Sequence, residues 1–187
     1  CKGYGIQAFS SVIDIENCQI TNALNDCVSI TGGYTTLLQC TLGQFYPFHG
    51  DVGVALRFSN HIGNVPYPLY QINVINSLIT GLGDDKLMGD KDTTLTFKYR
   101  FINCLICTPR VDKDTLFVNT LWESRDSTAS QSKNFRNIDY YNLYFDFRLD
   151  SLSRGIGGAN TKYALPYDRL GVPRDDKPDI GCYEYVH

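Results

Sequence analysis

Ile15-Glu16-Asn17-Cys18-Gln19-Ile20-Thr21 is the first of four stretches of this chain that share one pattern. In each stretch an amide residue is followed by a small Cys or Ser, one free position, and then Leu or Ile. The other three are Leu37-Leu38-Gln39-Cys40-Thr41-Leu42-Gly43, Val74-Ile75-Asn76-Ser77-Leu78-Ile79-Thr80 and Phe101-Ile102-Asn103-Cys104-Leu105-Ile106-Cys107. The small residue recurs at positions 18, 40, 77 and 104, so the gaps are 22, 37 and 27 residues. A period of about 22 residues with insertions indicates a repeat architecture.

The segments around these stretches predict short strands. They are rich in the β-branched and aromatic residues that strands favour, and no helical stripe interrupts them. Strands that repeat without helical crossovers predict an all-β fold, a right-handed parallel β-helix, whose coils stack about 4.8 Å apart. The predicted strands are Ser11–Thr21, Cys27–Thr31, Thr35–Leu42, Val54–Phe58, Tyr70–Thr80 and Thr94–Cys107.

The pattern divides the chain into two parts. Residues 1–108 form the coils, and residues 109–187, where the repeat is expected to stop, form a C-terminal capping segment. The last predicted coil shows two faces because its residues alternate with a period of two. We expect Leu95, Phe97, Tyr99 and Phe101 to point into the core, and Lys98 and Arg100 to point into solvent.

The chain has seven cysteines. In a secreted protein cysteines usually pair in disulfides, and an odd number leaves at least one of them unpaired. Cys18, Cys40 and Cys104 nevertheless occupy equivalent positions of the repeat, so they should stack above one another. Free Cys behaves as a small hydrophobe and is often buried. The pattern therefore favours a buried column of unpaired thiols, and the spacings lack the paired ligands of a zinc site.

Composition narrows the range of partners. A net charge of −3 gives no basic footprint for nucleic acid. The apolar runs are of strand length, so no membrane span is expected. Hydrophobic residues make up 43% of the chain and charged residues 20%, which is typical of a folded protein.

The closing residues carry a resemblance to a known family. Asp146-Phe147-Arg148-Leu149, then Asp168, Gly171 and Arg174, then Asp179-Ile180-Gly181-Cys182-Tyr183-Glu184 follow one another in order. This ending resembles that of bacterial right-handed parallel β-helix proteins with a choice-of-anchor Q-type C-terminal region, whose fold is similar to that of pectate lyases. The resemblance implies an extracellular or outer-surface location in a bacterium and a closing motif that is structural. A solenoid must cover its last apolar layer, so we expect a cap there, locked by Arg174 on Asp179 or Glu184.

The first residues, Cys1 to Phe9, read as the interior of a coil. This pattern predicts that the N-terminal part of the same solenoid is a partner of these coils. The alternative is a lipid anchor on Cys1, although the flexible polar tether expected after such an anchor is not apparent.

Aromatic residues in the insertion between Gly43 and Gln71 are the main candidates for binding. Flat rings can stack on sugars while imidazoles supply hydrogen bonds, so this insertion predicts a site for a polysaccharide or surface glycan. The candidate carbohydrate-binding residues are Tyr46, Phe48, His49, His61 and Tyr67. The competing interpretation is that the insertion folds back and uses its rings as a small core.

Lys98, Arg100 and Arg57, with Arg110, are weak catalytic candidates. A polysaccharide lyase needs a base and a cation that stabilises the charge developing on a uronate, and Lys or Arg on an outward strand can serve both roles. A solvated polar face is the alternative. No cofactor or metal is predicted, although a loop with Asp84, Asp85, Asp90 and Asp92 offers oxygen ligands suited to Ca²⁺.

Two functions are therefore open. The first is a non-catalytic, exported β-helix that binds carbohydrate or has a structural role at the cell surface, with this chain as its C-terminal portion. The second is the C-terminal portion of a polysaccharide lyase or glycosidase whose main catalytic residues lie upstream. No catalytic constellation is apparent in these 187 residues, which favours the first.

Overall fold

The computed structural model describes residues 1–48, 52–111, 113–123 and 131–186. These residues form an all-β fold without an α-helix, and none of their helical turns is long and apolar enough to cross a membrane. The strands are β1 (Ile6–Glu16), β2 (Gln19–Thr21), β3 (Val28–Leu38), β4 (Thr41–Gln44), β5 (Leu56–Ser59), β6 (His61–Ile62), β7 (Val65–Pro66), β8 (Leu69–Ile75), β9 (Leu78–Gly81), β10 (Leu87–Asp90), β11 (Phe97–Ile102), β12 (Leu105–Cys107), β13 (Phe117–Val118), β14 (Leu121–Glu123), β15 (Phe135–Asp139) and β16 (Tyr144–Leu149). Two 3₁₀ turns cover Gln131–Asn134 and Thr161–Tyr163.

Two sheets of parallel strands contain most of these elements. The first sheet has the order β10-β5-β3-β8-β11-β13, with β1 on the other edge of β3, and the second has the order β14-β12-β9-β4-β2. The chain passes repeatedly from the first sheet to the second, so each repeat adds a strand to both. Their inward side chains form one apolar core that includes Leu37, Leu42, Ile72, Ile79 and Phe101.

The amide residues of the repeat occupy one type of turn between the two sheets. Each has a φ of 49–50°, in the left-handed region that Asn tolerates better than most residues. They form a column that we call the amide column, which consists of Asn17, Gln39, Asn76, Asn103 and Asn119. The fifth member was not predicted, and the repeat does not stop at Pro109, because β13 and β14 extend both sheets. In this repeat Thr120 and Trp122 replace the usual small residue and the usual Leu or Ile, which obscured the pattern.

A local hydrogen bond accounts for the Cys or Ser that follows each of the first four members of the amide column. Each side chain donates to the carbonyl two residues earlier, as the Ser77 hydroxyl does to Ile75 O at 2.9 Å and the Cys40 thiol does to Leu38 O at 3.5 Å. All seven cysteines are unpaired, which confirms the predicted column of free thiols. Burial raises the pKa of Cys40 and Cys104 to about 12, so both stay protonated and unreactive at neutral pH.

The C-terminal segment lies along the flank of the sheets, whereas a cap over the last coil was expected. Leu78 and Leu105 of the second sheet point away from the first core and into a second apolar cluster with Phe45, Phe147 and Ile180. A sheet with two apolar faces must be covered on both. The strand pair β15–β16 and the closing residues supply that second cover.

Residues 158–167 are joined to the first four members of the amide column. Four amide side chains bond to backbone groups of the segment at 2.6–3.0 Å. The pairs are Asn103 with Gly158, Asn76 with Asn160, Gln39 with Leu165, and Asn17 with Tyr167. The segment therefore runs antiparallel to the order of the repeats and links four of them.

Arg174 closes this arrangement as the sequence predicted. Its guanidinium donates to Glu184 Oε2 at 2.9 Å and to the carbonyl oxygens of Asp179 and Gly181. It also donates to Asn17 Oδ1 at 3.1 Å, which ties the closing residues to the first repeat.

Glu123 is a buried carboxylate on the outer side of the second sheet, and its side chain makes no ion pair with the described residues. Only 3% of the residue is exposed, and it accepts hydrogen bonds from Thr80 Oγ1 at 3.2 Å and Asn134 Nδ2 at 2.6 Å. Burial raises the pKa of Glu123 above its ordinary value, against the smaller effect of these two bonds. The folded state therefore holds the proton more tightly than the unfolded state.

We expect Glu123→Gln to be more stable than the parent protein at neutral pH. Because its pKa is raised in the folded state, Glu123 contributes to the free energy of unfolding. This contribution is fully present below the unfolded pKa of about 4.3 and is lost as pH rises through the folded pKa. The variant has no titrating group at this position and should not lose stability in this way. The free energy of unfolding of the variant should therefore exceed that of the parent by an amount that grows from pH 4 to pH 7. Urea unfolding across this range measures it, with Asp176→Asn, at an exposed position, as the control. Equal stability of variant and parent at every pH would contradict the assignment.

Candidate functional site

The outward face of the first sheet carries the most distinctive exposed side chains. On β11, Phe97, Tyr99 and Phe101 pack toward the core while Lys98 and Arg100 are exposed, so the predicted alternation is confirmed from Phe97 to Phe101. Neither cation makes a hydrogen bond or ion pair with any residue in the described part of the chain. Both charges are therefore available to a ligand.

A β-bulge places two tyrosine rings together on this face. Gly33 pairs with Leu69 and Tyr34 pairs with Gln71, so Tyr70 is an extra residue of β8. Bulges redirect a side chain from its regular position. Here the Tyr70 ring stacks on Tyr34 with the centroids 5.1 Å apart and the planes inclined by 15°. The residues stay 51% (Tyr34) and 46% (Tyr70) exposed, so the stack faces solvent.

A row of polar side chains crosses the sheet beside the stacked tyrosines. Asp14, Thr36, Asn73 and Arg100 are successive partners on β1, β3, β8 and β11. Strands lie about 4.8 Å apart, so the row presents a carboxylate, a hydroxyl, an amide and a guanidinium over roughly 14 Å. A shallow groove of about 90 Å³ lies along the part of the row from Asp14 to Asn73. We call this surface the Tyr34 face; it comprises Val12, Asp14, Tyr34, Thr36, Tyr70, Gln71, Asn73, Lys98 and Arg100.

Arg57 lies elsewhere and has a structural partner. Its Nε is 2.7 Å from Asp26 Oδ2, and its Nη2 donates to Asp26 Oδ1 at 3.2 Å. Asp26 is 3% exposed and also accepts a bond from Val54 N. The hydrogen bond to this carboxylate raises the pKa of Arg57, so the guanidinium is held as a permanent cation that fixes the start of β5. Arg110 follows β12 of the second sheet.

The predicted aromatic insertion divides into separate groups. Tyr46 and Phe48 contact each other with ring centroids 5.5 Å apart, while Tyr67 lies 6.1 Å from Phe9 of β1. No ring contact joins the two pairs within the described residues. His49 lies outside the described residues. The neighbouring Phe45 is fully buried, so part of this insertion does serve as core.

His61 is the first residue of β6, in the short hairpin of β6 and β7 that connects β5 to β8. Its Nδ1 lies 3.2 Å from Asn60 Oδ1 and its Nε2 lies 3.8 Å from Asp90 Oδ2. The Ser59 hydroxyl donates to the His61 carbonyl at 2.7 Å, so it is committed to the turn. This group resembles a Ser-His-Asp set in composition only, because the Ser59 oxygen is 3.5 Å from His61 Nδ1 and its shorter bond is the one to the carbonyl.

The acidic loop does not converge on one point. Asp85 Oδ1 accepts bonds from Leu87 N and the Thr108 hydroxyl, and Asp92 Oδ1 accepts bonds from the backbone and hydroxyl of Thr94. The hydroxyl bond from Thr94 lowers the pKa of Asp92. In the ranges that the structure describes, no three His, Cys, Asp or Glu residues are grouped to hold a metal ion.

Comparison of the chain with known protein families, with characterised proteins and with solved structures gives no match. A function must therefore be inferred from the chemistry of the Tyr34 face, since a fold alone does not determine one. Sequence analysis found Lys98 and Arg100 but missed Tyr34 and Tyr70. The available signal was that Tyr34 follows two glycines and Tyr70 follows a Pro-Leu pair at the start of a strand.

Proposed function

We propose that this chain is part of an exported bacterial right-handed parallel β-helix protein that binds polysaccharide through the Tyr34 face. The alternation of the chain between two parallel sheets and the amide column support the β-helix. The resemblance of the closing residues to the choice-of-anchor Q type supports a location outside the cell or on its outer surface.

The stacked, exposed tyrosines are the observation that carries the proposal. A pyranose ring has an apolar face of C–H groups that packs on an aromatic ring, and its hydroxyls need polar neighbours at the edge. Tyr34 and Tyr70 supply the rings, and Thr36, Gln71 and Asn73 supply hydroxyl and amide groups on the same surface. Because the rings are fixed on adjacent strands, little conformational entropy is lost on binding.

Lys98 and Arg100 favour an anionic polysaccharide, one that carries uronate carboxylates. A guanidinium can bond a carboxylate through two parallel N–H groups, and an ammonium adds a second positive charge. Asp14 lies at the far end of the same row and prefers hydroxyl donors to carboxylates. This difference in charge would orient an oligouronate across the sheet, with a carboxylate at Arg100 and hydroxyl groups at Asp14.

We expect Tyr34→Ala and Tyr70→Ala each to weaken binding of an oligouronate about tenfold or more, as aromatic anchors do at other binding surfaces. Titration calorimetry with oligogalacturonate and oligoalginate measures the change. Tyr141→Ala is the matched control, because that ring is 98% exposed and lies on the turn between β15 and β16. If both variants bind as tightly as the control, the Tyr34 face is not the site.

The enzymatic alternative is tested in the same samples. Lys98 next to Arg100 on an exposed strand has the residue types of a base and a charge-stabilising cation. Lyase action creates an unsaturated uronate, whose conjugated double bond absorbs short-wavelength ultraviolet light. Binding without any rise in absorbance supports a binding protein, whereas a rise that Lys98→Ala abolishes supports the lyase.

A further inference from the structure

The contact between Tyr34 and Tyr70 brings two phenol rings together on the surface of the sheet. The chain has 13 tyrosines, and every other tyrosine with a ring contact among the described residues lies against phenylalanine. Tyr34 and Tyr70 contact each other, with the centroids 5.1 Å apart and the planes inclined by 15°. Two oxidisable rings in contact are suited to react with each other.

The backbone holds these two rings in place. Tyr34 is on β3 and Tyr70 is on β8, which are paired strands of one sheet. Gly33, immediately before Tyr34, has a φ of 84°, and a Cβ at this position would collide with the backbone of Ser11. The turn into Tyr34 is therefore fixed, and the bulge fixes Tyr70 beside it. Because both rings are already adjacent, a reaction between them needs no encounter of two molecules.

Solvent reaches both rings, whereas most of the thiols that could compete for an oxidant are buried. The Tyr34 and Tyr70 residues are 51% and 46% exposed. Five of the seven cysteines are buried, namely Cys27, Cys40, Cys104, Cys107 and Cys182. An oxidant in solution therefore reaches the stacked rings more readily than it reaches these thiols.

We propose that Tyr34 and Tyr70 form a site of oxidative cross-linking, at which hydrogen peroxide and a haem peroxidase join the two rings by a carbon–carbon bond. Each phenol gives up one electron and one proton to the activated peroxidase, which leaves a phenoxyl radical. The unpaired electron is shared with the Cε carbons beside the hydroxyl carbon, and one Cε of each ring forms the new bond. The hydrogens on these two carbons move to the oxygens, so both phenols are restored, and the peroxide has become two molecules of water.

The cross-link would tie β3 to β8 across the insertion between Gly43 and Gln71. All seven cysteines are unpaired, so this bond supplies a covalent constraint that disulfides do not. A link between distant positions restricts the unfolded chain, as a disulfide does, and the cross-linked chain should therefore unfold at a higher temperature. The reaction needs no ligand, so its test is independent of the binding of polysaccharide.

Treatment of the 187-residue chain with a haem peroxidase and limiting hydrogen peroxide tests the proposal. Exposed thiols are alkylated first, so that Cys1 does not consume the oxidant. We expect the fluorescence of a linked tyrosine pair to appear while the chain keeps the mass of a monomer, lighter by two hydrogen atoms. Mass spectrometry of a protease digest should find the peptides of Tyr34 and Tyr70 joined.

Three conservative variants separate the effect of contact from that of exposure. Tyr34→Phe and Tyr70→Phe keep the ring but remove the hydroxyl, and each should lower the yield of the intramolecular link about tenfold or more. Tyr141→Phe is the matched control and should leave the yield unchanged, because Tyr141 is 98% exposed but has no ring contact with another tyrosine in the described part of the chain. Circular dichroism verifies that all three variants are folded. The proposal is wrong if the first two variants cross-link as well as the control, or if the parent chain links mainly between molecules or through other tyrosines.

Discussion

Replacing Arg174 by Ala should lower the free energy of unfolding by about 3–5 kcal/mol, the range found when one partner of a buried ion pair is removed. The side chains of Arg174 and Glu184 are only 2% and 5% exposed, and their charged atoms lie 2.9 Å apart. Without the guanidinium, the Glu184 carboxylate stays buried with backbone donors alone, from Asp179 and Asp175. Three carbonyl or amide oxygens would also lose their donor.

Urea unfolding at neutral pH measures the loss, and its pH dependence distinguishes charge from packing. Burial already raises the pKa of Glu184, and removal of Arg174 should raise it further. The difference in free energy of unfolding between the parent and the variant should therefore become smaller as pH falls and the Glu184 carboxyl becomes protonated. Arg148→Ala is the matched control, because the Arg148 side chain pairs with Asp146 but is 45% exposed, and its midpoint should change little. If the loss of unfolding free energy is the same at every pH, it arises from lost packing and not from the unpaired charge.

Asn76→Ala should cost about 3 kcal/mol. Asn76 is fully buried, and its amide exchanges two hydrogen bonds with the backbone of Asn160, at 3.0 Å and 2.7 Å. Loss of the side chain leaves both backbone groups without a partner, at about 1 kcal/mol or more each. Alanine also tolerates a φ of 50° less well than asparagine, by about 1 kcal/mol.

Asn119→Ala separates these two contributions. Asn119 has the same φ of 50°, but it is exposed, and among the described residues its side-chain amide bonds only to Asn103, at 3.5 Å. This variant should show the backbone cost alone. The thermal midpoint should therefore fall much further for Asn76→Ala than for Asn119→Ala. Equal shifts would mean that the C-terminal segment contributes nothing through Asn76.

The repeat was predictable from sequence because its causes are local. An amide that tolerates positive φ, a small hydrogen-bond donor and an inward Leu or Ile occupy adjacent positions, so one short stretch contains the whole turn. The alternation from Phe97 to Phe101 was predictable for the same reason. The fifth repeat escaped notice because Trp122 is an aromatic residue at a position where the first four have Leu or Ile.

The position of the C-terminal segment and the tyrosine stack were not predictable in this way. The outward residues Leu78 and Leu105 occupy the free position of the repeat, and nothing in a single stretch shows which residues cover them. Tyr34 and Tyr70 are brought together by a register shift between two strands, which depends on the pairing and not on either strand alone. Arg57 was misleading because its partner, Asp26, precedes it by 31 residues.

The hydrogen bonds between the amide column and the closing residues affect how the chain folds during its synthesis. Neighbouring repeats pair over short sequence distances, so a growing polypeptide can begin stacking them as it is synthesised. The bonds of Asn17 to residues 167 and 174, in contrast, span 150 and 157 positions. The side-chain amide of Asn17 in the first repeat therefore has no partner until residues 167 and 174 have been synthesised, and such distant contacts form slowly. Until the segment that contains Phe147 and Ile180 has been synthesised, the outer leucines of the second sheet stay uncovered, which makes this interval the period of greatest risk of aggregation.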